Sequence, residues 1–185
     1  MPDEDRELVE RYLRGDRAAF GRLVERHRRR VYNIAYRMLG PTDAEDATQE
    51  VFVTCLRKLS GVRFESAFTT WLYRVTVNVC TDLLRKRSRE QAWEEPPDRP
   101  VPDATDTAGA AIDVQRALLQ LPLEFRAPLV LHDIHDLPYE EVAECLGAPI
   151  GTVKSRIHRA RVALARAMKG EPERPARPSK LEEAT

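Results

Sequence analysis

Apolar residues recur at three- and four-residue spacing along most of the chain, and no stretch shows the period-two alternation of a half-buried strand. Leu8, Val9, Tyr12 and Leu13 predict a short amphipathic helix that stops at Gly15. Asp16 is placed to cap a long second helix, whose Phe20, Leu23, Val24, Val31, Ile34, Ala35 and Met38 keep helical spacing until Gly40 and Pro41 end it. Residues 42–45 read TDAE, a capping-box pattern that predicts a third helix through about Leu59. The loop SGVRFESAF follows. A fourth helix then carries Phe68, Trp71, Leu72, Val75, Val79 and Leu83 on one face and finishes in the basic run Arg85, Lys86, Arg87.

The pattern breaks at residues 89–111. That segment, rich in Pro, Asp, Glu and small residues, has too little apolar surface to offset the entropy of ordering, so it reads as a flexible acidic linker. Beyond it, Ile112–Leu121 and Glu124–Ile134 read as two helices separated by Pro122. Pro128 falls near the start of the second, where a missing N–H costs less than in mid-helix. Pro138 suits the first turn of a third helix, PYEEVAECL, closed by Gly147. The expected architecture is all-α. It has a helical domain at 1–88, the linker at 89–111, a second helical domain at 112–169 and a disordered tail at 170–185.

Composition changes this picture less than the placement of charge does. The 185 residues carry 30 basic and 30 acidic side chains, so net charge does not announce a nucleic-acid binder. Charge is nevertheless sorted: 17 basic against 13 acidic over 1–88, 2 against 6 over 89–111, and 8 against 7 over 112–169. Cys55, Cys80 and Cys145 are odd in number and far apart, which predicts reduced, buried thiols rather than disulfides or a zinc site. The polar, acidic start has no signal peptide and no stretch has transmembrane length, so a cytoplasmic location is expected. His132, His135 and Asp136 resemble a metal set only in spacing, since no further ligand lies nearby in sequence. No phosphate loop, nucleophile elbow or carboxylate pair with a neighbouring base appears, so neither an enzyme nor a cofactor is expected.

Residues 137–164, LPYEEVAECLGAPIGTVKSRIHRARVAL, have the shape of a helix-turn-helix. At about 100° per residue, Val153, Ile157, Ala160 and Leu164 fall within one arc, with Ser155, His158 and Arg159 opposite and Lys154, Arg156 and Arg161 on the flanks. Arg159 and Ser155 therefore face base edges, and the flanking cations suit phosphates. In the first domain, Asp43, Glu45, Asp46 and Glu50 share the exposed side of one helix and fit a basic partner. Phe68 and Trp71 belong mostly to the core. Phe64 and Tyr73 lie off that stripe, beside Arg63, Arg74 and Asn78, and suit stacking on unpaired bases.

Two stretches together resemble bacterial RNA polymerase sigma factors of the extracytoplasmic-function (ECF) type. DAEDATQEVFV followed by FESAFTTWLYRVTVNVCTDLLRKR is similar to the family's region 2, and LPLEFRAPLVL followed by the helix-turn-helix is similar to region 4. The resemblance runs from about Glu4 to Met168. It implies that Asp46, Gln49, Glu50 and Phe52 dock on the clamp helices of the polymerase's largest subunit. It implies that Phe64, Ser66, Phe68, Thr70, Trp71, Tyr73, Arg74 and Asn78 engage the minus-10 element, and that Thr152, Lys154, Ser155, Arg156, His158, Arg159 and Arg161 read the minus-35 element. An anti-sigma factor is the further partner it implies, and the linker would thread toward the active-site cleft and RNA exit path. His158, Glu65 and Ser66 stand at positions that set promoter preference, which stays open. The alternative is a stand-alone helix-turn-helix repressor, which needs neither the acidic face nor the aromatic loop.

Overall fold

A computed structural model describes residues 2–61, 67–93 and 109–169. The predicted tail, Phe64, Ser66 and residues 94–108 of the predicted linker lie outside those residues. The helices are α1 (Pro2–Leu13), α2 (Arg17–Leu39), α3 (Ala44–Lys58) with a 3₁₀ turn at Leu59–Gly61, and α4 (Phe68–Trp93). After the gap come α5 (Gly109–Gln120), α6 (Leu123–Leu129), a π-helical turn at Val130–Ile134, α7 (Tyr139–Leu146) and α8 (Ile150–Met168). The described residues contain no strand.

The Asp16 cap forms as predicted, its side chain accepting from Ala18 N at 3.1 Å, while its other oxygen takes a charge-assisted bond from Arg11. Gly40, at φ 93°, ends α2 in a conformation that L side chains rarely adopt. The capping box at residues 42–45 does not form. Asp43 holds Arg87 at 3.0 Å and makes no side-chain cap bond, and Glu45 holds Arg28, so ion pairs to other helices outcompete the local bonds. The fourth helix runs past its predicted end to Trp93, because Glu90, Gln91 and Ala92 favour helix and Lys86 pairs with Glu90 one turn on. Pro138 sits at the N-cap of α7 rather than in its first turn. Pro128 lies inside α6, where it cannot donate. The chain answers by widening into the π turn, closed by His135 N to Val130 O at 3.2 Å.

Two apolar cores result. One joins α1 to α4 through Val9, Leu23, Val51, Leu59, Phe68 and Leu72. The other crosses the gap. Ile34, Met38, Tyr73, Val77 and Cys80 of the first half pack with Leu118, Leu121, Leu131, Val142 and Ile157 of the second. The halves are therefore folded onto one another, which periodicity within each half does not reveal. Arg126 completes the junction: its guanidinium donates to the carbonyls of Met38, of Leu119 and, at 2.7 Å, of Leu121. It thereby closes the orphan C-terminal carbonyls of two helices from opposite halves.

All three cysteines are free and buried, and burial pushes each thiol up to about 12. At pH 8 the folded chain is thus expected to react with iodoacetamide far more slowly than the chain in guanidinium, in which all three thiols label at ordinary rates. Mass spectrometry of quenched time points checks this.

Candidate nucleic-acid interface

Gly147 ends α7 in the left-handed region at φ 60°, with Ala148 N bonded to Ala143 O at 3.1 Å. This is the turn that glycine makes at no steric cost. It aims α8 away from α7, and Val153, Ile157 and Ala160 anchor it, each nearly inaccessible to solvent. The opposite face is open. Lys154, Ser155, His158, Arg159 and Arg161 are exposed, and Thr152 and Arg156 are half-buried.

The cations of that face are not equivalent. Arg161 is held bidentate by Asp133 at 2.7 Å for both bonds, which keeps its guanidinium charged and fixed in direction. Arg156 lies 3.7 Å from Glu124, and Lys154 Nζ sits 5.2 Å from the centre of the Tyr139 ring. Ser155 returns its hydroxyl proton to Thr152 O at 3.0 Å. His158 and Arg159 form no hydrogen bond or ion pair with another described residue and are free to meet a ligand. His132, one of the metal-like pair, donates from Nδ1 to Leu137 O at 2.7 Å and stacks on Tyr139 at 4.1 Å, so it supports the turn before α7. His135 is pushed below the ordinary histidine range, first by burial and then by Arg30 and Arg37, and is neutral at pH 7.

The residues expected at the start of α4 divide into two groups. Asn78 is exposed and Trp71 half-buried against the first core. Phe68 packs on the His27 ring at 5.5 Å, and His27 in turn bonds the Asp5 carboxylate at 3.0 Å, a buried pair that helical spacing had not disclosed. Thr70 and Tyr73 are 2% and 3% exposed. Helix α7 lies over them: Cys145 Sγ donates to Thr70 O, and Arg74 Nη2 donates to the Glu144 carbonyl at 3.0 Å and to its carboxylate at 3.3 Å. Tyr73, which the sequence places off the core stripe, is off the first core and inside the second.

On the outer side of α3, Asp46, Gln49 and Glu50 are exposed and Phe52 is half-buried. Val53 and Leu56 continue this face at 39% and 48% exposure. Asp46, Gln49, Val53 and Leu56 follow a 3-4-3 spacing, which makes one stripe down the helix. An exposed apolar pair at the end of an acidic stripe is the mark of a docking surface.

Residues 23–90 match the family described as Sigma-70 region 2, and residues 111–164 the one described as Sigma-70, region 4. The ECF RNA polymerase sigma factor SigM of Mycobacterium tuberculosis is 40% identical over 164 residues, which span 88% of this chain and 83% of the relative. The chain belongs to the ECF sigma factors.

Solved ECF sigma factors share its shape. CnrH in complex with the cytosolic domain of CnrY superposes with a TM-score of 0.70 at 28% identity, covering 92% of this chain and all (100%) of that one. The sigma factor RpoE of Bartonella quintana, in complex with the anti-sigma factor NepR, gives 0.65 at 25% identity, over 83% and 98% of the two chains. As a sigma factor the protein binds core RNA polymerase and directs transcription initiation from promoters by recognising their minus-10 and minus-35 elements. No helix among the described residues is long and apolar enough to cross a membrane. Sequence reasoning missed Val53 and Leu56 of this sigma factor, although their spacing from Gln49 held the signal. It also missed Arg126, for which an arginine in a short apolar helix holds none.

Proposed function

We propose that the sigma factor contacts its partners through the three faces described above. Asp46, Gln49, Glu50 and Phe52, extended by Val53 and Leu56, dock on basic side chains of the polymerase clamp helices. Thr70, Trp71, Tyr73, Arg74 and Asn78, together with Phe68 and the loop bearing Phe64 and Ser66, engage the minus-10 element, where trapping an unpaired base offsets part of the cost of melting. Thr152, Lys154, Ser155, Arg156, His158, Arg159 and Arg161 meet the minus-35 element. The protein acts without catalysis of its own, in the cytoplasm, and is held in check by an anti-sigma factor, as solved relatives are seen in complex with such proteins. Residues 1–88 and 112–169 serve as the two working halves, with 89–111 between them.

The observation that carries this reading is the sorting of α8, with Val153, Ile157 and Ala160 buried and His158 and Arg159 open and unpartnered. Specific run-off transcripts from reconstituted core polymerase plus this chain, on promoters found by start-site mapping, test it; no transcript from any of them would refute it. Within that assay Arg159→Ala is expected to weaken recognition by about 1–3 kcal/mol at one base pair of the minus-35 element. Equal losses at every base pair would make Arg159 a phosphate contact.

A further inference from the structure

The junction between the halves covers residues that promoter recognition needs. Thr70 and Tyr73 lie under α7, and Arg74 is engaged by Glu144. Away from α7, Gln115 of α5 donates to Tyr36 O at 2.7 Å and accepts from Arg37 at 3.1 Å. Leu119 fits against Gly40, where an added Cβ would stand 3.3 Å from its Cδ1. Arg126 ties α6 to the last turn of α2. The contacts run along α2 and α4 from Thr70 to Gly40, and the apolar core beneath them is continuous.

The folded arrangement also fails on distance. Elements about 25 base pairs apart lie roughly 80 Å apart at about 3.4 Å per pair. A compact chain of this size is roughly 40 Å across. With its halves in contact, the protein cannot reach both elements. The 15 residues from 94 to 108 allow separation, since they span up to about 50 Å when extended.

We propose that the free chain is closed on itself, with its second half as the cover of its own minus-10 surface, and that this cover lifts when core polymerase binds. The proposal rests on the placement of the minus-10 element at α4. Arg74 is the contested group: Glu144 holds it in the closed chain, and a promoter phosphate or base takes it in the open one. Because the side chains of Arg74 and Glu144 are 43% and 40% exposed, the pair exchanges with solvent readily and acts as a releasable catch on an apolar joint.

The test places dyes on cysteines introduced at exposed Ser60 and Arg166, the buried native thiols remaining unlabelled, and measures energy transfer in the full chain. The free protein is expected to show one high-transfer population. Gln115→Ala with Glu144→Arg removes the α5 bonds and sets two cations against each other, and should lower the closed-to-open ratio roughly tenfold. Adding Arg74→Glu to that variant restores an ion pair and should regain part of the transfer. Core polymerase should lower transfer in the unsubstituted chain. The free Gln115→Ala, Glu144→Arg protein should also bind a single-stranded oligonucleotide, taken from the non-template strand of a mapped promoter, about tenfold more tightly than the unsubstituted chain does. Low transfer in the unsubstituted free chain, or high transfer unchanged by the variants or by polymerase, would overturn the proposal. Loss of specific transcripts in the run-off assay would instead overturn the functional reading, because the polymerase-free arms do not depend on it.

Discussion

Removing the Arg126 guanidinium should destabilise the protein by about 3–5 kcal/mol, a fall of about 10 °C in the thermal midpoint for a chain of this length. Its donors close the carbonyls of Met38, Leu119 and Leu121, and two of these bonds are fully buried. With Met in its place the apolar stem survives and the three acceptors lose their partner, each at about 1–3 kcal/mol where water does not replace it. Burial already draws the guanidinium below its ordinary range, so desolvation opposes the charge and the carbonyls hold it there. Arg126→Lys keeps the charge but lacks the planar fork that reaches several carbonyls at once, so it should recover less than half of the loss. Calorimetry of the three proteins checks the order. A Met variant as stable as the parent would mean that the junction is held by its apolar core alone.

The second large effect is expected on α3. Asp46→Arg combined with Leu56→Asp should weaken binding to core polymerase at least about 100-fold, which is about 2.7 kcal/mol. Asp46→Arg sets like charge against a basic partner, a mismatch worth several kcal/mol at an interface, and Leu56→Asp puts a carboxylate where an apolar contact was. Both side chains are exposed in the free protein, so its thermal midpoint should move by no more than a few degrees. Competition against the unsubstituted chain for core enzyme measures the loss. Undiminished binding would remove the acidic face of α3 from the polymerase interface.

Helical periodicity disclosed the eight α-helices to within a few residues, because each buries its own stripe: Leu23, Val31 and Ile34 on α2, Val153 and Ile157 on α8. Glycine and proline placed most of the ends for stereochemical reasons, as at Gly40 and Gly147. Local patterns failed where a distant partner offered more. Asp43 left its predicted cap role for Arg87, and Pro128, read as a tolerable early-turn proline, forced the π turn. The angular sorting of α8 fixed which side faces outward. It did not disclose that Arg156 and Arg161 have carboxylate partners, since Glu124 and Asp133 lie 32 and 28 residues away in sequence. Tyr73 shows the same limit more sharply. Its place off one core stripe reads as exposure until the second half is seen to provide another core.

The Asp133 bond to Arg161 also bears on how salt acts on promoter binding. A cation meeting DNA releases condensed counterions from the phosphates it neutralises, and that release makes affinity fall with salt. Arg161 arrives with its charge already balanced by a carboxylate held at 2.7 Å, and Arg156 has Glu124 beside it. Neither displaces a full counterion, so the ions released at the minus-35 contact number fewer than the cations on α8. What the bidentate bond supplies instead is direction: the guanidinium stands oriented before any DNA arrives, and its side-chain entropy is lost at folding rather than at binding.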